Sequence, residues 1–182
     1  MNIDEYVYTM DRELMQVLHT VQGALEMAGI PHRGTPQGIF VVCDALELPD
    51  HPRGLLRGKQ ILLVDDDDDI LRLIALGLYA GGASVTTAKD GLAAIRHTKF
   101  NGHSTDLVVI DVSMPGLNGF ETCRALRRDG YAGPAIIFTS VTTPEAAAEA
   151  FNADAQAYMS KEVGPYHLLA TAVHLCGDKH DG

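Results

Sequence analysis

Residues 61–73 of this chain read ILLVDDDDDILRL, and this stretch decides the fold. The four consecutive apolar residues 61–64 are typical of a short strand that is buried on both faces of a parallel sheet. Beyond the five aspartates at 65–69, apolar residues recur at helical spacing as far as Leu78. The aspartates therefore lie on a turn from a strand into a helix. Open α/β sheets bind their ligands at this end of their strands.

The same alternation of strand and helix continues to residue 176. Thr143, Pro144 and Glu145 form one of the helix starts, with a capping residue, a first-turn proline and a first-turn acid. Short buried strands joined by helices predict a doubly wound parallel sheet of the α/β class. The predicted strands span 61–64, 83–88, 107–110, 135–138 and 157–160, and the predicted helices span about 70–78, 91–99, 119–128, 143–151 and 165–176.

Composition and charge restrict the class of protein. The chain has 182 residues, 46% of them hydrophobic and 21% charged, which is typical of a globular protein. Its 24 acidic and 14 basic side chains give a formal charge of −10, which disfavours binding to nucleic-acid phosphates or anionic membranes. The N-terminus lacks a signal-peptide pattern, no apolar run has the length of a membrane span, and the three cysteines lack CxxC spacing. We therefore expect a cytoplasmic protein that contacts neither nucleic acid nor membrane.

Polar residues follow the predicted strands at the point where each strand ends. The first strand ends at Asp65 and Asp66, the third at Asp111, the fourth at Thr139 and the fifth at Lys161. The ends of parallel strands share one edge of the sheet, so the three carboxylates would repel one another there. Mg²⁺ would relieve this repulsion, because it prefers carboxylate oxygens. A carboxylate can also act as a nucleophile, and a hydroxyl and an ammonium are suitable donors to a phosphoryl group.

Four segments, ILLVDDDDDILRL, LVVIDVSMPGLNGFE, AIIFTS and YMSK, resemble the receiver domain of bacterial two-component response regulators. The resemblance covers about residues 60–176 and implies a flavodoxin-like, five-stranded parallel sheet with strand order 2-1-3-4-5. It also implies that Asp111 is the phosphoacceptor and that Thr139 and Lys161 bind the phosphoryl group. The implied Mg²⁺ ligands are Asp65, Asp66, Asp111 and the backbone carbonyl of Ser113, and Tyr158 matches an aromatic switch residue that acts with Thr139.

Two features depart from the usual pattern of this family. Glu162 follows Lys161, where the family usually has a proline after a cis peptide bond, so the resemblance does not fix the loop conformation. Ser113 and Val141 flank the position from which a hydrolytic water would approach, and neither side chain can orient water well. We therefore expect slow self-dephosphorylation.

Residues 1–59 precede the predicted receiver domain, 60–178, and do not match the family. A heptad-like apolar stripe predicts a helix over about 4–28 that packs against the body of the protein or against a partner chain, as in a homodimer. The run at 38–43 predicts a strand, either at an edge of the sheet or exchanged between two chains, and a linker rich in proline and glycine follows. His19 resembles the histidine of phosphotransfer domains, but a helix-face packing role is favoured because only one good helix is present.

These patterns favour a signalling switch rather than an enzyme. A sensor histidine kinase or phosphotransfer protein would donate a phosphoryl group to Asp111. The output would then be a contact with a further protein, because no DNA-binding segment follows the receiver domain in this sequence. Two alternatives remain open: a haloacid dehalogenase-like phosphohydrolase with Asp65 as its nucleophile, and a scaffold receiver that is never phosphorylated.

Overall fold

The computed structural model describes residues 32–35, 38–41, 54–101 and 104–176. Strands and helices alternate from residue 60 onward, as the hydrophobic pattern predicts. Two further strands lie before them. The elements are β1 (His32–Thr35), β2 (Gly38–Val41), β3 (Gln60–Val64), α1 (Asp68–Ala80), β4 (Ser84–Ala88), α2 (Gly91–Asn101), β5 (Leu107–Ile110), α3 (Gly119–Arg128), β6 (Ala135–Thr139), α4 (Pro144–Asn152), β7 (Ala157–Ser160), a 3₁₀ turn (Lys161–Val163) and α5 (Gly164–Cys176).

Strands β3 to β7 form one parallel sheet in the order β4-β3-β5-β6-β7. Counted within this sheet, the order is 2-1-3-4-5, which confirms the flavodoxin-like prediction. Every residue of the central strand β5 is buried, and so is every residue of β6. The uninterrupted apolar runs of the sequence therefore correspond to strands that are covered on both faces.

Two hydrophobic clusters cover the two faces of the sheet. Leu63 and Val109 pack on one face with buried residues of α1 and α5. Leu62 and Val108, their neighbours along the strands, pack on the other face with residues of α2, α3 and α4. Successive side chains of a strand point to opposite faces, so each strand contributes to both clusters. This three-layer packing fixes the strand ends that carry the polar residues.

Side-chain caps define the helix starts. The Asp67 carboxylate accepts hydrogen bonds from the backbone N–H groups of Asp69 and Ile70 and so caps α1. Asn118 and Glu121 form a capping box at the start of α3. The Thr143 hydroxyl caps α4, with Pro144 in its first turn, which confirms the helix start that the sequence predicts.

The strand predicted at 38–43 is present as β2, but it does not join the five-stranded sheet. It pairs antiparallel with β1 in a separate two-stranded sheet, because residues 32–35 supply a partner that the sequence pattern did not reveal. The predicted helix at 4–28, His19 and most of the linker lie outside the described residues. Within the described ranges, no helix combines the length and apolar character needed to cross a membrane.

Candidate functional site

Three carboxylates meet at the carboxyl edge of the sheet. Asp65 and Asp66 directly follow β3, and Asp111 directly follows the adjacent strand β5. One oxygen from each of the three lies within 4.8 Å of the others. Asp65 and Asp111 are buried, whereas Asp66 is exposed. The predicted cluster is therefore present, with one carboxylate open to solvent and two deep in the pocket.

Lys161 lies between the two buried carboxylates. It directly follows β7, and its Nζ is 2.7 Å from Oδ2 of Asp65 and 3.1 Å from Oδ1 of Asp111. The sequence reasoning assigned Lys161 to the phosphoryl group and did not anticipate the ion pair with Asp65. One ammonium thus offsets part of the charge of the two buried carboxylates.

Burial and this ion pairing shift the pKa values of both partners. Burial raises the pKa of Asp65; the hydrogen bonds from Lys161 and from the N–H of Asp67 oppose that rise without cancelling it. Burial tends to lower the pKa of Lys161, but the hydrogen bond to Asp65 and the charge of Asp111 outweigh this effect and raise it. Lys161 is therefore held in its cationic form by the acids around it.

The two carboxylate oxygens of Asp111 differ in their surroundings. Oδ2 accepts a hydrogen bond of 2.9 Å from the backbone N–H of Ser113. Oδ1 is buried, and although the Lys161 ammonium is near, it accepts no well-aligned hydrogen bond. Both oxygens of Asp65, by contrast, are engaged, one by the N–H of Asp67 and one by Lys161. Oδ1 of Asp111 is thus the more available oxygen, for a cation or for an incoming group.

The backbone of α3 approaches Asp111 closely at Gly119. A methyl group at this position would lie 2.3 Å from the carbonyl oxygen of Asp111 and 2.9 Å from Cα of Val112. Since real Cβ contacts are never this short, only glycine allows α3 to begin here. This contact explains why the sequence after Asp111 contains Gly119, and it couples the position of the carboxylate to the start of α3.

Thr139 and Tyr158 are joined through the backbone of Val141. Thr139 ends β6 next to Ser160 of β7, and its hydroxyl accepts a hydrogen bond of 3.2 Å from the N–H of Val141. The Tyr158 hydroxyl donates a hydrogen bond to the carbonyl of the same Val141. Burial raises the pKa of Tyr158 to about 12, so the phenol keeps its proton. The sequence identified both side chains but not the peptide that links them.

The loop after Lys161 adopts an ordinary trans conformation. The Lys161–Glu162 peptide bond is trans, and residues 161–163 form a single 3₁₀ turn. The Ser160 hydroxyl caps this turn by accepting a hydrogen bond from the N–H of Glu162. Glu162 therefore does not displace Lys161 from the carboxylates. The backbone carbonyl of Ser113 stays a predicted metal ligand, and the N–H of that residue is what contacts Asp111.

The other aspartates of the run have structural roles. Asp67 caps α1, and Asp68 forms an ion pair of 2.8 Å with Lys89 at the end of β4. This pair lowers the pKa of Asp68. Asp69 pairs with Arg72 one helical turn further along. These three acids therefore contact the start of α1 and its surroundings, and the residue pattern did not predict the cap or the Lys89 contact.

Comparison with known proteins agrees with the resemblance to receiver domains that the sequence segments indicate. The family model described as "Response regulator receiver domain" matches residues 61–173. Among solved structures, the chemotaxis protein CheY4 of Vibrio cholerae is 28% identical, with a TM-score of 0.59 over 64% of this chain and 98% of that one. The BeF3-activated N-terminal receiver domain of Klebsiella pneumoniae RstA is also 28% identical, with a TM-score of 0.61 over 66% of this chain and 100% of that one.

Curated relatives match over the same region. The alkaline phosphatase synthesis transcriptional regulatory protein PhoP of Bacillus subtilis is 34% identical over 112 residues, which is 62% of this chain and 46% of that protein. The chain spans about half the length of the first curated relatives it matches. The expected absence of nucleic-acid binding stays a prediction, because the matched half of these transcriptional regulators is the receiver part. With its acidic cluster, lysine, threonine and sheet order in place, the chain belongs to the response regulator receiver domain family.

Proposed function

We propose that this protein is a phosphorylation-activated signalling switch with Asp111 as its phosphoacceptor. The observation that carries the proposal is the difference between the two buried carboxylates. The buried Oδ1 of Asp111 lies 3.1 Å from Lys161 Nζ but accepts no aligned hydrogen bond from the described residues, whereas both oxygens of Asp65 accept one. This favours Asp111 as nucleophile and disfavours the hydrolase alternative, in which Asp65 would attack.

The donor set fits a hard divalent cation such as Mg²⁺. Asp65, Asp66 and Asp111 supply carboxylate oxygens close enough to share one ion. The buried Oδ1 of Asp111 is short of a hydrogen-bond partner, which a cation would supply. We assign these three side chains and the Ser113 carbonyl as the ligands. When bound, Mg²⁺ would neutralise charge on the phosphoryl oxygens during transfer.

In the proposed reaction, a carboxylate oxygen of Asp111 attacks the phosphorus of a phosphohistidine on a sensor kinase or phosphotransfer protein. A P–O bond forms, the P–N bond breaks, and the electron pair returns to the imidazole nitrogen of the donor. Lys161, already 3.1 Å from Asp111, would pair with the incoming phosphoryl oxygens and hold them in line. The residues of this chain would thus contribute to the transfer by positioning the phosphoryl group and by balancing its negative charge.

The effect of phosphorylation would reach Tyr158 through the Val141 peptide. A phosphoryl oxygen that hydrogen-bonds to the Thr139 hydroxyl would compete with the N–H of Val141 for the same oxygen. Because Tyr158 is tied to the carbonyl of Val141, a shift of this peptide would reach the phenol as well. We propose that phosphorylation biases this linked group and so alters the α4–β7–α5 side, where a protein partner would bind.

Labelling with acetyl phosphate and Mg²⁺ tests the assignment. We expect the intact mass of the wild-type protein to rise by one phosphoryl group, and Asp111→Asn to remain unmodified. Asp69→Asn is the matched control, because Asp69 belongs to the same acidic run but lies exposed outside the pocket. Labelling of Asp111→Asn to the wild-type extent would contradict the proposal, and absence of labelling in the wild type would favour the scaffold alternative.

We also propose that the phosphorylated form is long-lived. Val141 is apolar and Ser113 is short, so neither can hold a water in line with the phosphorus. Val141→Gln adds a carboxamide that can orient water, and we expect it to shorten the half-life about tenfold or more. Val141→Leu is the control of similar size. A wild-type phosphoryl half-life of only seconds, measured in the isolated protein, would refute this expectation.

A further inference from the structure

Helix α5 has no charged aspartate, glutamate, lysine or arginine among its 13 residues, Gly164–Cys176. Its polar residues His167, Thr171 and His174 recur at helical spacing on the side away from the sheet. The other long helix of the same layer, α1, instead carries Asp68, Asp69 and Arg72 towards solvent. The composition of α5 therefore predicts that part of its outer side is covered as well.

The burial of α5 agrees with this prediction. Leu168, Leu169, Ala172 and Cys176 face the sheet and belong to the hydrophobic cluster there. Ala170 points away from that cluster, since successive residues of a helix are rotated by about 100°. Ala170 is nevertheless only 2% exposed, and it belongs to neither cluster of the described residues. The sheet does not account for this burial.

The residue beside it, Thr171, is likewise buried, at 4% exposed, and its hydroxyl donates a hydrogen bond to the carbonyl of His167. His174, one turn beyond Ala170 on the same outer side, is exposed. The covered area on the outer side of α5 is therefore local. It is centred on Ala170 and Thr171 and ends before His174.

The chain before the receiver domain approaches β7 at one place and the sheet-facing side of α5 at another. Strand β2 lies beside β7, the edge strand of the sheet, with Cα atoms of the two within 8 Å, but the two strands do not pair. The second place is at the end of α1, where Leu56 is fully buried and donates its N–H to the carbonyl of Gly81. Leu56 also packs in the same hydrophobic cluster as Leu169 of α5. The segment 42–53 joins these places, and twelve extended residues reach about 40 Å.

The N-terminal sequence supplies a suitable apolar surface. Residues at alternating spacings of three and four form a stripe over the predicted helix at 4–28. Such a helix is marginal in water unless its apolar face packs against another surface. The stripe consists of Val7, Met10, Leu14, Val17, Val21, Ala24 and Ala28.

We propose that residues 4–28 dock in cis on the outer side of α5, around Ala170 and Thr171. The occupant is this chain's own extension, because β2 already lies at β7 and the linker returns to the receiver domain beside α5. The docking does not depend on the proposed function. One consequence of the docking does rest on the proposed function. Because α5 and β7 belong to the side on which we place the partner contact, the docked extension would compete with a partner for that side.

Hydrogen exchange on the full-length protein tests this docking, together with mass by light scattering. In the wild type we expect slow exchange over residues 4–28 at the mass of a monomer. Ala170→Arg places a long cation under the docked segment and should speed that exchange about tenfold or more. His174→Arg, on the exposed part of the same side, should leave it unchanged. Exchange in β5 reports whether the receiver domain itself stays folded.

A second pair of variants removes any dependence on the folding of Ala170→Arg. Val17→Asp breaks the apolar stripe and should also release residues 4–28, whereas Gln16→Asp, off the stripe, should not. Fast exchange of 4–28 in the wild type would overturn the proposal. Protection that appears only at the mass of a dimer would overturn docking in cis in favour of an arm exchanged between two chains. Neither result depends on whether Asp111 accepts a phosphoryl group.

Discussion

Among single residues, Gly119 has a tightly constrained position beside Asp111, the proposed phosphoacceptor. A Cβ there would lie 2.3 Å from the Asp111 carbonyl oxygen, so Gly119→Ala must displace either the Asp111 backbone or the start of α3. We expect it to lower the free energy of unfolding by about 3 kcal/mol and to reduce labelling of Asp111. Urea denaturation and acetyl phosphate labelling measure the two effects.

Gly130→Ala is the comparison for this prediction. Gly130 has a φ of +92° and open space around its Cα, so alanine there meets backbone strain but no clash. We expect a cost of about 1 kcal/mol and unchanged labelling. Equal costs at the two positions would show that contact with Asp111 is not what requires glycine at position 119.

Lys161 provides the second test at this scale. Replacing it with methionine removes the only cation within 4 Å of Asp65 and Asp111 among the described residues. The unbalanced carboxylates should lower the free energy of unfolding by about 3 kcal/mol without Mg²⁺. Added Mg²⁺ should restore more stability in Lys161→Met than in the wild type, because the cation replaces the lost charge. Thermal unfolding with Mg²⁺ and with a chelator measures this difference.

Lys89→Met is the matched control, because the Lys89–Asp68 pair is exposed, with 64% of the lysine side chain accessible. Removing such a pair should change stability by less than about 1 kcal/mol, and equally with and without Mg²⁺. If Lys161→Met behaved like Lys89→Met, the account of charge balance in the pocket would be wrong.

The sequence predicted the side chains of the site better than their contacts. Asp65, Asp66, Asp111, Thr139 and Lys161 could be identified because each follows a recognisable strand, and strand ends converge. The ion pair of Lys161 with Asp65 and the lack of an aligned hydrogen bond at Oδ1 of Asp111 depend on side-chain positions within about 1 Å. No pattern of residue types encodes positions at that resolution.

At the scale of elements, Arg127 joins α3 to the loops beneath β6 and β7. Its guanidinium donates hydrogen bonds to the carbonyls of Tyr131, Gly133 and Asp154 and to the side chain of Gln156. The carbonyl of Asp154 and the side chain of Gln156 each accept a second hydrogen bond, whereas Arg127 is the donor found for the carbonyls of Tyr131 and Gly133 among the described residues. The fixed fork of arginine reaches all four together. Arg127 therefore determines how the end of α3 meets the edge of the sheet.

Arg127→Met should lower the free energy of unfolding by about 3 kcal/mol, because the carbonyls of Tyr131 and Gly133 lose the arginine donor. Arg128→Met, the exposed neighbour, should change it by less than about 0.5 kcal/mol. Urea denaturation of both variants provides the measurement. Similar small effects for the two arginines would contradict the anchoring role of Arg127.

Element positions followed closely from hydrophobic periodicity, with one instructive failure. The predicted bounds of β5, α3 and β7 agree with the structure because turns and caps flank them. Strand β2 was expected either at an edge of the main sheet or exchanged between two chains, but it pairs with β1. The segment His32–Thr35 reads HRGT, without apolar alternation, so its pairing depends on the neighbouring backbone rather than on its own side chains.

At the scale of the whole molecule, the formal charge of −10 is unevenly placed. Five of the acids are consecutive at 65–69, and two of these join Asp111 at the pocket. The densest acidity is therefore divided between the cluster that we propose binds a cation and a phosphoryl group, and exposed acids at the start of α1. Membership of the family accounts for residues 61–173, and the proposed docking on α5 gives the preceding segment a role that composition alone could not suggest.

The central claim is that Asp111, and not Asp65, receives the phosphoryl group. Borohydride reduction of the acetyl phosphate-labelled protein, followed by peptide mass mapping, tests it directly, because reduction converts a phosphorylated aspartate into homoserine. We predict homoserine at position 111 only, dependent on Mg²⁺, with Asp65 and Asp66 unchanged. Homoserine at position 65 would contradict the account and support the hydrolase alternative.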